Sequence, residues 1–425
     1  MEVMPGYKQT DMGVIPEGWC IRAVFEIAGY QKERFDDGDW IESEHITNGG
    51  YRIVQTGNIG IGKFIEKESR KYIYESSFDK LKCKELIPGD LLICRLAEPA
   101  GRACILPDLG ETKVVTAVDV TIFRPSEIDS DRRYLAQYFS TAKWFESVLE
   151  QVGGTTHKRI SRSALGNIKV PLPSNLNEQR AIAAALSDMD ALLDGLDRLI
   201  AKKRAIKKAT MQQLLTGQSR LPGFSGEWNV KLLGDVAEVK TGPFGSLLHE
   251  RDYVSDGVPI ITVEHLGEFG VEHVNLPMVS EADCKRLNAY SLHVGDIVFS
   301  RVGSVDRNAL IRKLEDGWLF SGRLLRVRPN ESCINSIFLS YQFHSEKFKL
   351  AVRTVAVGQT MASLNTRILN GIQVNLPSIS EQTAIATILS DMDAEITVLE
   401  TRRIKTRALK QAMMQELLTG RTRLI

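Results

Sequence analysis

LSDMDA occupies Leu186–Ala191 and returns at Leu389–Ala394. A hexapeptide written twice in one chain raises the question of how far the copy extends. Aligning Glu178–Leu221 with Glu381–Leu424 needs one constant offset, 381 − 178 = 203, and no gap, and 25 of the 44 paired positions are identical. EQ.AIA..LSDMDA opens both copies, and K.RA.K.A.MQ.LLTG closes both. The segment is duplicated, and a repeat of this kind organises the reading of everything around it.

Residues 178–215 read as one long helix. Ile182, Ala185, Met189, Leu192, Leu196, Leu199 and Ile206 recur in steps of three and four, with Lys203 interrupting the seam. Asn177 is placed to cap the start, after Pro171 and Pro173, which keep the preceding residues extended. Gly217 and then Pro222 supply the stop. About 38 residues at about 1.5 Å each make a rod of about 57 Å. The second copy repeats the pattern with Ile385, Ile388, Met392, Leu399, Leu409 and Met413, and Gly420 closes it. Two seams of matching length and sequence predict helices that pack on each other. The alternative is that each helix packs only on its own domain.

The remainder of each half keeps the same order with weaker identity. PEGW at Pro16–Trp19 corresponds to SGEW at Ser225–Trp228, and IPGDLLICR ending at Arg95 corresponds to HVGDIVFSR ending at Arg301. In both of the latter a Gly-Asp turn precedes an apolar strand. DRRYLAQYFSTAKWFESVL and NSIFLSYQFHSEKFKLAVR share a helical period with aromatics on one face, and GTTHKRISRSALGNIKVPLP matches GQTMASLNTRILNGIQVNLP. The order is globular part, long helix, globular part, long helix, with boundaries at 1–175, 176–217, 218–379 and 380–425. Many short strands and a few helices make each globular part mixed α/β, an α+β class.

Composition sets the limits. With 425 residues, 43% hydrophobic and 25% charged, the chain has room for two or three soluble domains. Its apolar runs are too short for a membrane helix, and the N-terminus lacks the basic start and apolar core of a signal peptide. Six scattered cysteines, without CxxC pairs, point to a reducing cytoplasm and away from zinc or a disulfide framework. A net charge of +1 means that any grip on nucleic acid relies on local patches or a partner.

Two variable domains ending in GxT…L…I.V.LP strands, and two helices opening with LPS…EQ.AIA..LSDMDA, resemble a specificity subunit of a type I restriction–modification system. The resemblance spans essentially the whole chain. It implies two target recognition domains, each reading one half of a bipartite double-stranded DNA site. It also implies that the two helices form an antiparallel coiled coil separating those domains, an internal pseudo-two-fold duplication. By the same resemblance, two methyltransferase (modification) subunits are expected to dock there, with restriction–translocase subunits joining them. The resemblance further implies a non-catalytic subunit, for which no cofactor or metal is expected. A coiled-coil scaffold with protein- or glycan-binding domains is the alternative reading.

The sequence offers no competing chemistry of comparable strength. GNIGIGKF at Gly57–Phe64 follows the phosphate-loop pattern until Phe64 replaces the magnesium-holding hydroxyl. There is no Pro-Pro, hence no adenine-methyltransferase motif, and no HExxH. FDDGDW at Phe35–Trp40 reads as a solvated acidic loop. The DNA-facing candidates follow residue type and place. Thr155, Thr156, His157, Lys158, Arg159, Ser161 and Arg162 precede the last strand of the first domain. Gln359, Thr360, Ser363, Asn365 and Arg367 are their counterparts in the second. Arginine suits guanine O6/N7, whereas Gln and Asn suit adenine N6/N7. Arg95 with Arg102, and Arg301 with Arg307 and Asn308, follow the Gly-Asp strands, while Gln55, Asn58, Lys240 and Ser246 complete the set. The repeated motif supplies the partner-docking candidates Glu178, Gln179, Asp188, Asp190, Glu381, Gln382, Asp391 and Asp393. The basic runs Arg198–Lys208 and Arg402–Lys410 read either as solvated faces near helix ends or as contacts to phosphate or an acidic partner.

Overall fold

The computed structural model describes residues 5–154, 158–243, 247–267, 270–356 and 362–424. The chain divides into two compact units, Met1–Leu196 with Arg402–Ile425, and Asp197–Thr401. The four sequence segments become two units because each long helix contributes one part to each.

In the first unit, Phe35–Asp37, Val120–Phe123, Leu91–Cys94 and Ala103–Ile105 form an antiparallel sheet in that order. A second sheet runs Val114–Thr116, Tyr51–Val54, Lys71–Ile73, Ile46–Thr47, with its first pair parallel. Trp19–Ala23 pairs with Lys169–Pro173. The strand Leu91–Cys94 is apolar throughout because both its faces are covered. Leu91 and Ile93 join Trp19, Tyr134 and Trp144 in one core, and Leu92 and Cys94 join Val54 and Ile59 in another.

The second unit repeats this plan. Its sheets run Ala237–Thr241, Leu324–Pro329, Ile297–Ser300, Asn308–Leu310 and Tyr253–Val254, Met278–Val279, Val258–Ile261, Leu319–Phe320. Asn229–Leu232 pairs with Gln373–Leu376. Ile297 and Phe299 face Phe338 and Phe343, whereas Val298 faces Ile261 and Phe320. Both units are therefore mixed α+β structures built by duplication.

The Gly-Asp turns show why each residue is there. Gly89 and Gly295 sit at φ 94° and 92°, a left-handed conformation that a side chain would strain. Asp90 accepts from the Ile87 amide and takes a two-pronged contact from Arg124, both prongs 2.7 Å. Asp296 does the same with the His293 amide and Arg328, again at 2.7 Å twice.

The long helices run Leu176–Leu214 and Ile379–Leu417, 39 residues each. Asn175 caps the first, its side chain accepting from the Asn177 amide at 2.9 Å, so the helix starts before Asn177 rather than at it. Gly217 and Gly420, at φ 72° and 74°, follow the ends as expected. In the second unit Arg204 meets Glu400, Lys207 meets Asp393 and Arg220 meets Glu381, so one chain number rises as the other falls. In the first unit Asp190 meets Lys410 and Glu178 meets Arg423 in the same sense. The helices pack antiparallel on each other. Ile182 and Leu196 are buried as the period suggested, but elsewhere the seam lies one residue further round: Leu186 and Ile200 are buried, and Leu192, Leu199 and Ile206 are exposed.

Candidate nucleic-acid interface

The two stretches singled out in each domain come together. In the first unit the Ile160 amide donates to the Arg95 carbonyl at 3.0 Å, and the Ala97 amide donates to the Lys158 carbonyl at 3.0 Å. In the second, the Leu364 amide donates to Arg301 at 2.8 Å and the Gly303 amide to Ala362 at 2.9 Å. Each post-strand turn is thus zipped to the loop before the last strand, by equivalent backbone bonds. Ser161 and Asn365 then cap the short helices Arg162–Asn167 and Thr366–Asn370, accepting from the Ala164 amide at 3.0 Å and the Ile368 amide at 2.8 Å.

Several arginines expected to face a ligand turn inward instead. Arg95 is buried, donates to the carbonyls of Ile160 and Val118, and lies 3.1 Å from Asp37. Arg301 reaches the Gly322 carbonyl, the counterpart of Val118. Arg102 spends its donors on four carbonyls, those of Ile59, Leu96, Pro99 and Thr56, and so fastens one turn to the other. Arg307 bonds the Leu266 carbonyl but stays exposed. Asn58 is buried, accepts from the Gln55 amide at 2.9 Å and donates to Ile65 at 2.8 Å, a turn-building role. His265 takes its place in the second unit, accepting from the Thr262 amide. Asn308 is buried, Gln55 is half-buried, and Lys240 donates to Ala289 while lying over the Tyr290 ring. Ser363 is half-buried. Thr155, Thr156, His157, Ser246, Gln359 and Thr360 lie outside the described residues.

What remains on the surface is a smaller set. Lys158, Arg159, Ser161, Asn365 and Arg367 are exposed, and Arg162 is half-buried. FDDGDW is not a free acidic loop. Phe35 is core, Asp36 accepts from Arg162, and Asp37 and Asp39 pair with Arg95 and Lys84. Burial pushes the Asp36 carboxyl up, but the Lys84 hydrogen bond, the Asp37 amide and the nearby cations outweigh it and hold the group below its ordinary value. Asp39 is raised, since burial there prevails. Asp119, 3.0 Å from Arg159, and the exposed Arg323 were not anticipated. Their only sequence signal is their position just before the strands Val120–Phe123 and Leu324–Pro329.

The repeated EQ pair also turns inward. Glu178 accepts from Arg423 and Trp19, and Gln179 bonds Pro173, Asp129 and the Asp131 amide. Glu381 accepts from Arg220, and Gln382 bonds Pro377, Cys333 and the Asn335 amide. All four are 2% exposed or less, so they fasten each helix to its own unit and offer a partner no surface. Asp190 and Asp393 are held by Lys410 and Lys207. Of the eight docking candidates, Asp188 and Asp391 are exposed.

Comparison with known proteins matches this duplicated plan. The family described as the type I restriction modification DNA specificity domain matches twice, at residues 16–205 and 225–407. The MjaVIII specificity subunit of Methanocaldococcus jannaschii is 25% identical over 362 residues, covering 82% of this chain and 83% of that one. A putative MjaX specificity subunit of the same organism is 23% identical over 431 residues, covering 98% and 96%. Among solved structures, the S subunit from M. genitalium superposes with a TM-score of 0.61 at 16% identity, covering 98% of both chains. A chain solved in work on complex assembly and conformational transition of the type I R-M system gives 0.57 at 15% identity, covering 96% and 99%. The chain belongs to the type I restriction–modification specificity family.

Proposed function

We propose that each unit reads one half of a bipartite double-stranded DNA target, and that the chain performs no chemistry of its own. The observation that carries this is the zipped loop pair, whose backbone is the same in both units while its exposed side chains differ. A common frame with different donors and acceptors is what two readers of different half-sites require. In this reading the subunit works in the cytoplasm, where its six unpaired thiols are at home. It delivers methyltransferase subunits, and restriction–translocase subunits through them, to the site. The experiment is enrichment of a randomised duplex library on the full chain, followed by sequencing. A split motif of two short blocks supports the reading; no enriched sequence defeats it.

Two equivalent helix ends, each with its own exposed LSDMDA aspartate, fit two docked modification subunits. Native mass spectrometry of the co-expressed complex should give one of this chain to two of the modification subunit. A complex that saturates at one to one sinks that stoichiometry.

A further inference from the structure

The two loop pairs share a backbone and differ in charge at matching positions. Asp36 lies opposite Ile122 as Lys240 lies opposite Arg326, and the amides of Gly38 and Gly242 donate to Val120 and Leu324 alike. The carbonyl that receives the Arg95 amide belongs to Asp119, and the one that receives the Arg301 amide belongs to Arg323. The bridges Leu96–Arg159 and Val302–Ser363 occupy one place, and Arg162 and Thr366 each open the short helix that follows. Where the first unit has Asp36, Asp119, Arg159 and Arg162, the second has Lys240, Arg323, Ser363 and Thr366. The carboxylates and arginines of one unit are replaced by cations and hydroxyl residues in the other.

We propose that Arg159 and Arg162, each positioned by a carboxylate, are specificity-determining residues of the first half-site and take guanine, while Arg323 of the second unit holds backbone phosphate. This rests on the DNA-reading function proposed above. An arginine reads guanine through two parallel N–H donors, so its fork must be oriented before it can discriminate. Arg159 Nε lies 3.0 Å from Asp119 Oδ1, with the arginine side chain 42% exposed and the aspartate 23%. The carboxylate sits beneath and the guanidinium faces outward. That contact is an ion pair without an aligned hydrogen bond, which leaves the N–H groups of Arg159 for a ligand. Arg162 donates to Asp36, whose other oxygen is held by Lys84 at 2.9 Å, so the anchor is itself fixed. A carboxylate under each arginine also weakens its attraction for phosphate, which favours contact with base edges over the sequence-blind backbone. Arg323 has no such anchor: it is exposed and, among the described residues, in no ion pair.

The test uses the full chain and a randomised duplex library, with binding to the enriched duplex and to unrelated duplex measured across salt concentrations. Arg159→Lys and Arg162→Lys keep the charge and remove the fork. Each is expected to lose guanine preference in one half-site, by about 5- to 100-fold, with the other half-site unchanged. Asp119→Asn should relax the same positions as Arg159→Lys and leave binding to unrelated duplex equal or tighter. Arg323→Ala should leave both half-sites as they are, weaken all duplexes alike and reduce the log–log salt slope by about one. An enriched motif that survives both lysine variants overturns the inference while leaving DNA reading intact. So does a uniform loss across all sequences, which would make these arginines phosphate contacts. A wild-type chain that enriches nothing removes the reading itself.

Discussion

Asp90 and Asp296 show how much one buried carboxylate can organise. Each ties a left-handed glycine turn to the arginine opposite it at the end of the neighbouring strand, Arg124 or Arg328. Asp90→Asn removes the charge from a two-pronged contact whose aspartate is buried, and should destabilise the first unit by about 1.5–3 kcal/mol. Calorimetry of the full chain should show one transition lowered; two transitions falling together would contradict the independence of the turn. His344 gives the second unit an acid sensitivity that Ser140, its counterpart, withholds from the first. Burial, with the charges of Lys349 and Lys207, depresses its folded pKa to about 4 from 6.5. The unfolded chain therefore binds the proton first. The stabilisation is complete above 6.5 and lost as pH falls towards 4, amounting to about 2 kcal/mol at pH 5. Thermal unfolding at pH 7 and pH 5 should show this loss shrink in His344→Gln; an unchanged loss would exonerate the histidine. At this scale the sequence misled most at Arg95. Its half-buried partner Asp37 stands 58 positions earlier, and nothing local announces that a sheet brings them together. Ser161 and Asn365 were placed as possible readers, and their capping role was hidden because the helices they start are only six and five residues long.

Among the elements, the long helices were legible in length, in partner and in their glycine stops, but only in part in rotation, since Ile182 and Leu196 are buried and Leu192, Leu199 and Ile206 are not. Ala185 stands beside Leu186, Leu192 beside Leu193 and Leu199 beside Ile200, so two neighbouring stripes are apolar and the period alone cannot choose. The sequence reading placed Ile206 on the seam, yet it is the neighbouring Lys207 that is buried, paired with Asp393. A lysine on a packed seam is tolerated only when its charge is matched, and such a pair specifies register more than it adds stability. Lys207→Met alone leaves Asp393 facing a packed seam and should destabilise the second unit by about 1–3 kcal/mol. Adding Asp393→Leu should recover most of that loss. A double variant as unstable as the sum of the singles would show that the pair is not coupled.

For the whole molecule, duplication means that the readers should be exchangeable. Replacing residues 1–175 with the matching domain of a relative should alter one block of the enriched DNA motif and spare the other. Alteration of both blocks would refute independent reading. The EQ motif, legible as a repeat, was misjudged in role for a reason of the same scale. Its partners, Arg423 for Glu178 and Arg220 for Glu381, sit 245 and 161 positions away. Contact maps of that span are not written in a local pattern. The span also orders the birth of the protein. The second unit, Asp197–Thr401, is one uninterrupted stretch, whereas the first needs Arg402–Ile425, whose Leu417 and Leu418 pack with Trp19 and Ile182. On the ribosome, the unit translated later can close first, while the earlier one waits with an open core for the final turns of helix to emerge.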